Sequence, residues 1–170
     1  MAPGELTSPV ETAFLMRIQQ IGVISDTHGL MRPEALKALK GSELIIHAGD
    51  IGKAQVLEAL RALAPVLAVR GNTDRGDWAG ELPRSEVVPV GGVQLYVLHN
   101  LLELDLDPAA AGLSAVISGH THRPSISRRN GVLFLNPGSA GPGRFTSPVT
   151  VARLRVRGDS LEAQIICLEV

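Results

Sequence analysis

Short apolar runs recur along the chain, and each is closed by glycine or by a polar residue. "IGVIS" (residues 21–25) is a β-branched run that ends in Asp-Thr-His-Gly, which predicts a buried strand running into a loop. Pro33 opens "PEALKALK", a first-turn proline followed by helix formers. "ELIIHAG" predicts the second strand, and "AQVLEALRAL" a second helix with apolar residues three and four apart. "VLAVRGN" predicts a third strand. This β-α-β-α-β opening implies parallel strands with helices on both faces.

From residue 85 the pattern changes. "SEVVPV" and "VQLYVLH" read as two strands around Gly91-Gly92, "SISRR" and "VLFLN" as a hairpin about Asn130-Gly131, and "VTVARLRVR" and "SLEAQIICLEV" as a last hairpin about Gly158-Asp159. The second half is expected to be largely antiparallel, with one short helix near Pro108 to Ala111. The whole is a mixed α/β sandwich without internal linker, repeat or low-complexity segment. Residues 1–15 are expected to be an appendage, and residues 16–170 a single domain.

Composition narrows the function classes. Of 170 residues, 45% are apolar and 19% charged, as in an ordinary globular chain. The net charge of −1 without any block of like charges argues against binding duplex nucleic acid, and 3% aromatics argue against stacking on single-stranded bases. Cys167 is the sole cysteine, expected in the core of an apolar strand, and a cytoplasmic setting follows from its isolation. "MAPGELTSPVETAFLM" lacks the features of a signal peptide, and no run approaches the roughly 20 apolar residues of a membrane span.

Chemistry gathers where strands end. The first run stops at Asp26 and His28, the second at Asp50, the third at Asn72, the "VQLYVL" run at His99, and "AVIS" at His120 and His122. One such residue arrives per strand-and-crossover unit, and the carboxyl ends of strands form the ligand crevice of an open α/β sheet. The spacing therefore predicts that all seven converge. Imidazole with carboxylate suits Zn, Mn, Fe or Ni rather than Mg or Ca. Seven side chains exceed the needs of one tetrahedral ion and suit a two-metal hydrolase. A lone Asp or His at a strand end is more often a loop cap, but four of the five histidines stand in register with the acids. The exception, His47, lies inside a strand and reads as a buried histidine hydrogen-bonded near Asp50. Gly49, Gly71 and Gly119 are expected to let the backbone turn sharply beside the site.

The order D-x-H, G-D, G-N-x-D, His, G-H-x-H resembles the calcineurin-like metallophosphoesterase superfamily. The short chain, the G-N-x-D form and "NPGS" at Asn136–Ser139 resemble its small bacterial and archaeal phosphodiesterase family, of which the retromer small subunit is a relative. The resemblance covers Ile18 to the C-terminus. It implies two mixed β-sheets packed together and flanked by helices. It implies two divalent ions, Mn first and then Ni, Co, Fe or Zn. One would be held by Asp26, His28 and His122, the other by Asn72, His99 and His120, with Asp50 bridging. A bridging water or hydroxide would attack phosphorus in line, with Asp50, Asn72 and His120 catalytic. The implied substrate is a small phosphodiester, with no membrane partner; a homodimer is the commonest assembly for a soluble chain.

Two positions depart from the pattern. Thr73 stands where many superfamily members carry a histidine that protonates the leaving group, in keeping with the small-phosphodiesterase branch, which also lacks that histidine. Asn100 stands where glycine is usual, and a left-handed asparagine is expected to preserve the turn; the loop that follows, "LLELDLDP", is also unusual. Asp74 either orients a metal ligand or caps the following turn. Ser139 is expected to back the "GHTH" segment rather than act as a nucleophile, and Arg123 to be a solvated surface residue. The rival functions are a scaffold for protein partners and a phosphomonoesterase.

Overall fold

The computed structural model describes residues 8–143 and 147–170. Strands β1 (Gln20–Ile24), β2 (Leu44–His47) and β3 (Val66–Ala68) run parallel, and β9 (Thr150–Arg157) and β10 (Ser160–Cys167) extend them antiparallel into a sheet of order β10-β9-β1-β2-β3. The second sheet has the order β4-β5-β6-β8-β7, from β4 (Ser85–Val90), β5 (Val93–Leu98), β6 (Ala115–Ile117), β7 (Ser125–Arg129) and β8 (Val132–Asn136). The two mixed sheets pack face to face.

Side-chain alternation explains the layering. Ile21 and Val23 of β1 and Leu44 and Ile46 of β2 enter the core between the sheets, where they meet Leu95, Val97, Ile117, Leu133 and Leu135. Ile24 and Ile45 face the other way, onto α2 (Pro33–Ala38) and α3 (Ala54–Arg61), which contribute Ala35, Val56, Leu57 and Leu60. Strands buried on both faces are apolar along most of their length, which is why β1 and β2 read as nearly unbroken runs. These two helices occupy one face only; the second sheet covers the face that the sequence assigned to further helices.

The second half also differs in detail from its expected pattern. Its hairpins form as anticipated, with Asn130 and Gly131 both at positive φ. The centre of the second sheet is parallel, however, because β6 pairs in parallel with both β5 and β8. The helix expected at Pro108–Ala111 is one turn closed by Ala111 N–H to Asp107 O, and Gly112 at φ 75° ends it. A 3₁₀ turn at Leu101–Glu103 precedes it. Cys167 is exposed rather than core, since β10 is an edge strand.

Of the expected appendage, residues 1–7 lie outside the described residues. Residues Pro9–Arg17 form α1, begun by a capping box between Ser8 and Glu11. The helix buries none of its residues, but lies on β4 with Leu15 against the inter-sheet core. Among the described residues no helix is long and apolar enough to cross a membrane.

Candidate metal centre

All seven candidate residues lie just beyond the carboxyl ends of strands: Asp26 and His28 after β1, Asp50 after β2, Asn72 after β3, His99 after β5, His120 and His122 after β6. Beyond the ends of β1 and β2 the parallel ladder continues as single hydrogen bonds. Asp26 N–H donates to Gly49 O (3.0 Å), His28 N–H to Asp50 O (3.0 Å) and Gly29 N–H to Ile51 O (2.7 Å). The two loops are thereby locked in register.

That register holds an unusual backbone. Asp26 (φ 54°), His28 (47°), Asp50 (53°), His120 (71°) and His122 (62°) are all left-handed, and Asn130 is the sole other non-glycine residue so placed among the described residues. Such conformations cost of order 1–3 kcal/mol each and persist where the surroundings impose them. Of the three glycines expected to turn sharply, only Gly49 has positive φ. Gly71 and Gly119 serve close approach instead: a Cβ would overlap Asp50 at Gly71, and Ser25 and Asp26 at Gly119.

The side chains fall into two groups whose ligand atoms could share an ion, Asp26 with His28 and His122, and Asp50 with His99 and His120. Asp26 Oδ2 accepts from the Ser25 hydroxyl (2.7 Å) and from His120 N–H (3.1 Å). Its Oδ1 is buried and has no hydrogen-bond donor, yet three imidazole Nε2 atoms face it, from His122 at 3.2 Å and from His28 and His99 at 3.9 Å. Asp50 Oδ1 accepts from Thr73 N–H (2.9 Å), which leaves Oδ2 between His99 Nε2 (3.2 Å) and His28 Nε2 (3.8 Å). Asn72 Oδ1 lies 3.2 Å from His120 Nδ1. Donors each about 2.1 Å from one ion stand roughly 3.0–3.4 Å apart. An orphaned carboxylate oxygen ringed by imidazoles near that spacing fits a divalent cation.

Protonation follows from the partners. His99 Nδ1 lies 2.8 Å from the Ala48 carbonyl, which can only accept, so Nδ1 carries a proton and Nε2 faces the acids. Burial alone would lower the pKa of His99, but the Asp50 carboxylate and the Ala48 carbonyl raise it. Burial likewise opposes charge on Asp50, yet the His99 ring and the Thr73 amide hold its carboxyl well below the usual carboxylate range. His47 is fully buried beside Thr27 and Gly49, as anticipated, and burial above all pushes it down to about 3.

A surrounding shell fixes the loops. Asp74 accepts Gly52 N–H at Oδ1 and Gly71 N–H at Oδ2 (both 2.9 Å), so it caps its own turn and ties that turn to the Asp50 loop. Ser139 donates to Asp26 O (3.0 Å), and Asn136 Nδ2 donates to Gly119 O (2.9 Å), so "NPGS" backs both the first and last ligand loops. Arg123 is exposed. Asn100 is extended (φ −112°) rather than left-handed, because its carboxamide caps the 3₁₀ turn through Leu102 N–H. Sequence reasoning missed Ser25, whose one signal was adjacency to the D-x-H segment, and singled out Asn136 only as part of "NPGS" without giving its side chain a role.

A family model described as the calcineurin-like phosphoesterase superfamily domain matches residues 19–159. A protein of Methanothermobacter thermautotrophicus named a probable metallophosphoesterase is 39% identical over 158 residues, covering 86% of this chain and 91% of its own. Among solved structures, an archaeal phosphodiesterase superposes with a TM-score of 0.72 at 23% identity, over 86% of this chain and 99% of its own. A zinc complex of Vps29 from Entamoeba histolytica gives 0.69 at 21% identity, over 87% and 98%.

Proposed function

The chain belongs to the calcineurin-like phosphoesterase superfamily, and we propose that it is a metal-dependent phosphodiesterase with a dinuclear centre. Asp26, His28 and His122 would hold one ion and Asn72, His99 and His120 the other, with Asp50 between them. The observation that carries this reading is the orphaned Asp26 Oδ1 facing three imidazole nitrogens, beside a second group built in the same way around Asp50. Paired divalent ions in such a site supply Lewis acidity to water and to a phosphoryl oxygen.

The chain's own residues supply the rest. Two carboxylates against two divalent cations leave the centre positive, which favours an anionic phosphate ester. The Ala48 carbonyl fixes the tautomer of His99, and the Thr73 amide fixes the rotation of Asp50. Thr73 supplies no proton donor comparable to an imidazole, so leaving groups must depart largely unaided. General-acid assistance is typically worth ~100- to 10,000-fold, so diesters with good leaving groups are the favoured class. The scaffold reading has less support, since every one of the seven side chains is present and convergent.

The test is hydrolysis of bis(p-nitrophenyl) phosphate by chelator-stripped protein, alone and with Mn, Ni, Co, Fe or Zn, beside p-nitrophenyl phosphate. Activity restored by metal and greater on the diester is the expected result. Folded protein inactive with every metal would favour the scaffold, and preference for the monoester would favour a phosphomonoesterase.

A further inference from the structure

His47 takes no part in the proposed chemistry, yet every polar atom of its ring is engaged. It ends β2 and is wholly buried. Its Nδ1 lies 3.2 Å from Gly49 N, which can only donate, so Nδ1 is an acceptor. The Thr27 hydroxyl donates to Ile51 O (2.9 Å), so the contact of 3.0 Å between Thr27 Oγ1 and His47 Nε2 must be a donation from the ring. One direction runs through the whole chain of bonds, from Gly49 N–H through the neutral imidazole and the Thr27 hydroxyl to the Ile51 carbonyl.

The positions joined are the informative part. Thr27 stands between Asp26 and His28, and Gly49 and Ile51 stand on either side of Asp50. All three candidate ligands hold left-handed backbones, which L-residues adopt only when constrained. From this geometry we propose that His47, acting through Thr27, is a positioning residue that holds Asp26, His28 and Asp50 in their metal-receiving conformation. Its link to metal affinity rests on the dinuclear reading above; its hold on the two loops does not.

Two measurements on the full chain keep these apart. The first is amide hydrogen exchange of the metal-free protein at His28 and Gly29, whose N–H groups bond across to Asp50 and Ile51. Thr27→Val deletes the hydroxyl with little change of shape, and Thr27→Ser restores it. Thr27→Val is expected to speed exchange at both amides at least about tenfold relative to Val23 and Ile46 in the strands, and Thr27→Ser to return it to near the wild-type rate. The second is Mn affinity by titration calorimetry, expected to fall about 10- to 100-fold in Thr27→Val and in His47→Asn. Asparagine can still accept from Gly49 but cannot reach Thr27, so the double variant should lose little beyond either single one.

Unchanged exchange at His28 and Gly29 in Thr27→Val would overturn the proposal whether or not the protein binds metal. So would unchanged Mn affinity in both variants when only the unfolding midpoint has moved. Wild-type protein that binds none of Mn, Ni, Co, Fe or Zn would refute the dinuclear reading, while exchange still decides the role of His47.

Discussion

The Nδ1 of His99 and the carbonyl oxygen of Ala48 are 2.8 Å apart, and Ala48 lies two residues before Asp50 in the same loop. The segment that presents the carboxylate therefore also aims the imidazole that meets it. In the ¹⁵N-histidine spectrum, His99 is expected to keep its Nδ1 proton as Zn is added, while Nε2 shifts as a ligand nitrogen. Loss of the Nδ1 proton instead would show that the ring binds metal from the other side.

His120 is exposed, and its side chain meets Asn72 at the surface of the centre. His120→Ala is expected to lower diester turnover at least about 100-fold while the unfolding midpoint of the metal-free protein stays within about 2 °C. Near-normal turnover would remove His120 from the ligand set.

The left-handed backbone of His28 inverts the usual ranking of glycine and alanine. Both substitutions delete the imidazole, but alanine keeps the Cβ that opposes φ 47°. Urea unfolding of the metal-free proteins should find His28→Gly about 1 kcal/mol more stable than His28→Ala. Equal stability would mean that the loop relaxes out of this conformation without metal.

Asp74 accepts two backbone amides from two different loops. In Asp74→Asn one amide would meet an NH₂ group, so a loss of about 1–3 kcal/mol is expected, together with weaker Mn binding. Undiminished stability and affinity would show that the loops hold each other without this strap.

The neutral His47 makes the metal-free protein sensitive to acid. Its folded value of about 3 lies below the ordinary 6.5, with burial the main cause. The unfolded chain therefore takes up the proton first, and stability falls as pH drops from about 6.5 toward 3. Asp50, held low in the folded protein, adds to the loss in the carboxylate range. Between pH 6.5 and about 4 the His47 contribution amounts to ~3 kcal/mol. Urea unfolding across that range should show a flatter profile for His47→Gln than for wild type; parallel profiles would refute the assignment.

The parallel start of the fold was legible because β1 and β2 are covered on both sides, so they are apolar except at Gln20 and at His47, whose ring is hydrogen-bonded. The convergence of the seven side chains was legible for a related reason, since parallel strands release their chemistry at one end. The cover of the first sheet was not, because an apolar face does not say whether a helix or a second sheet will meet it. Near Pro108 the composition favoured a helix, but Asp107 and Gly112 each close a single turn. Asn100 misled in a similar way: its tolerance of left-handed geometry is real, but here its carboxamide has a nearer use as a cap. At Gly71 and Gly119 the sequence showed that glycine mattered, yet whether it served to turn or to make room depended on chain from elsewhere in the fold.

Each group of candidate ligands draws on both sheets. Asp26 and His28 leave the first sheet and meet His122 from the second, while Asp50 leaves the first and meets His99 and His120 from the second. An ion in either place would thus be a rivet between layers that otherwise adhere through an apolar seam and a few hydrogen bonds at its rim, such as His99 Nδ1 to Ala48 O and His120 N–H to Asp26. Sliding of one sheet past the other would pull the donor sets apart, so residues deep in the seam, such as Val97 or Ile117, would set the tension on the proposed reaction without touching it. A chelator, by the same logic, would unfasten the sandwich at one rim.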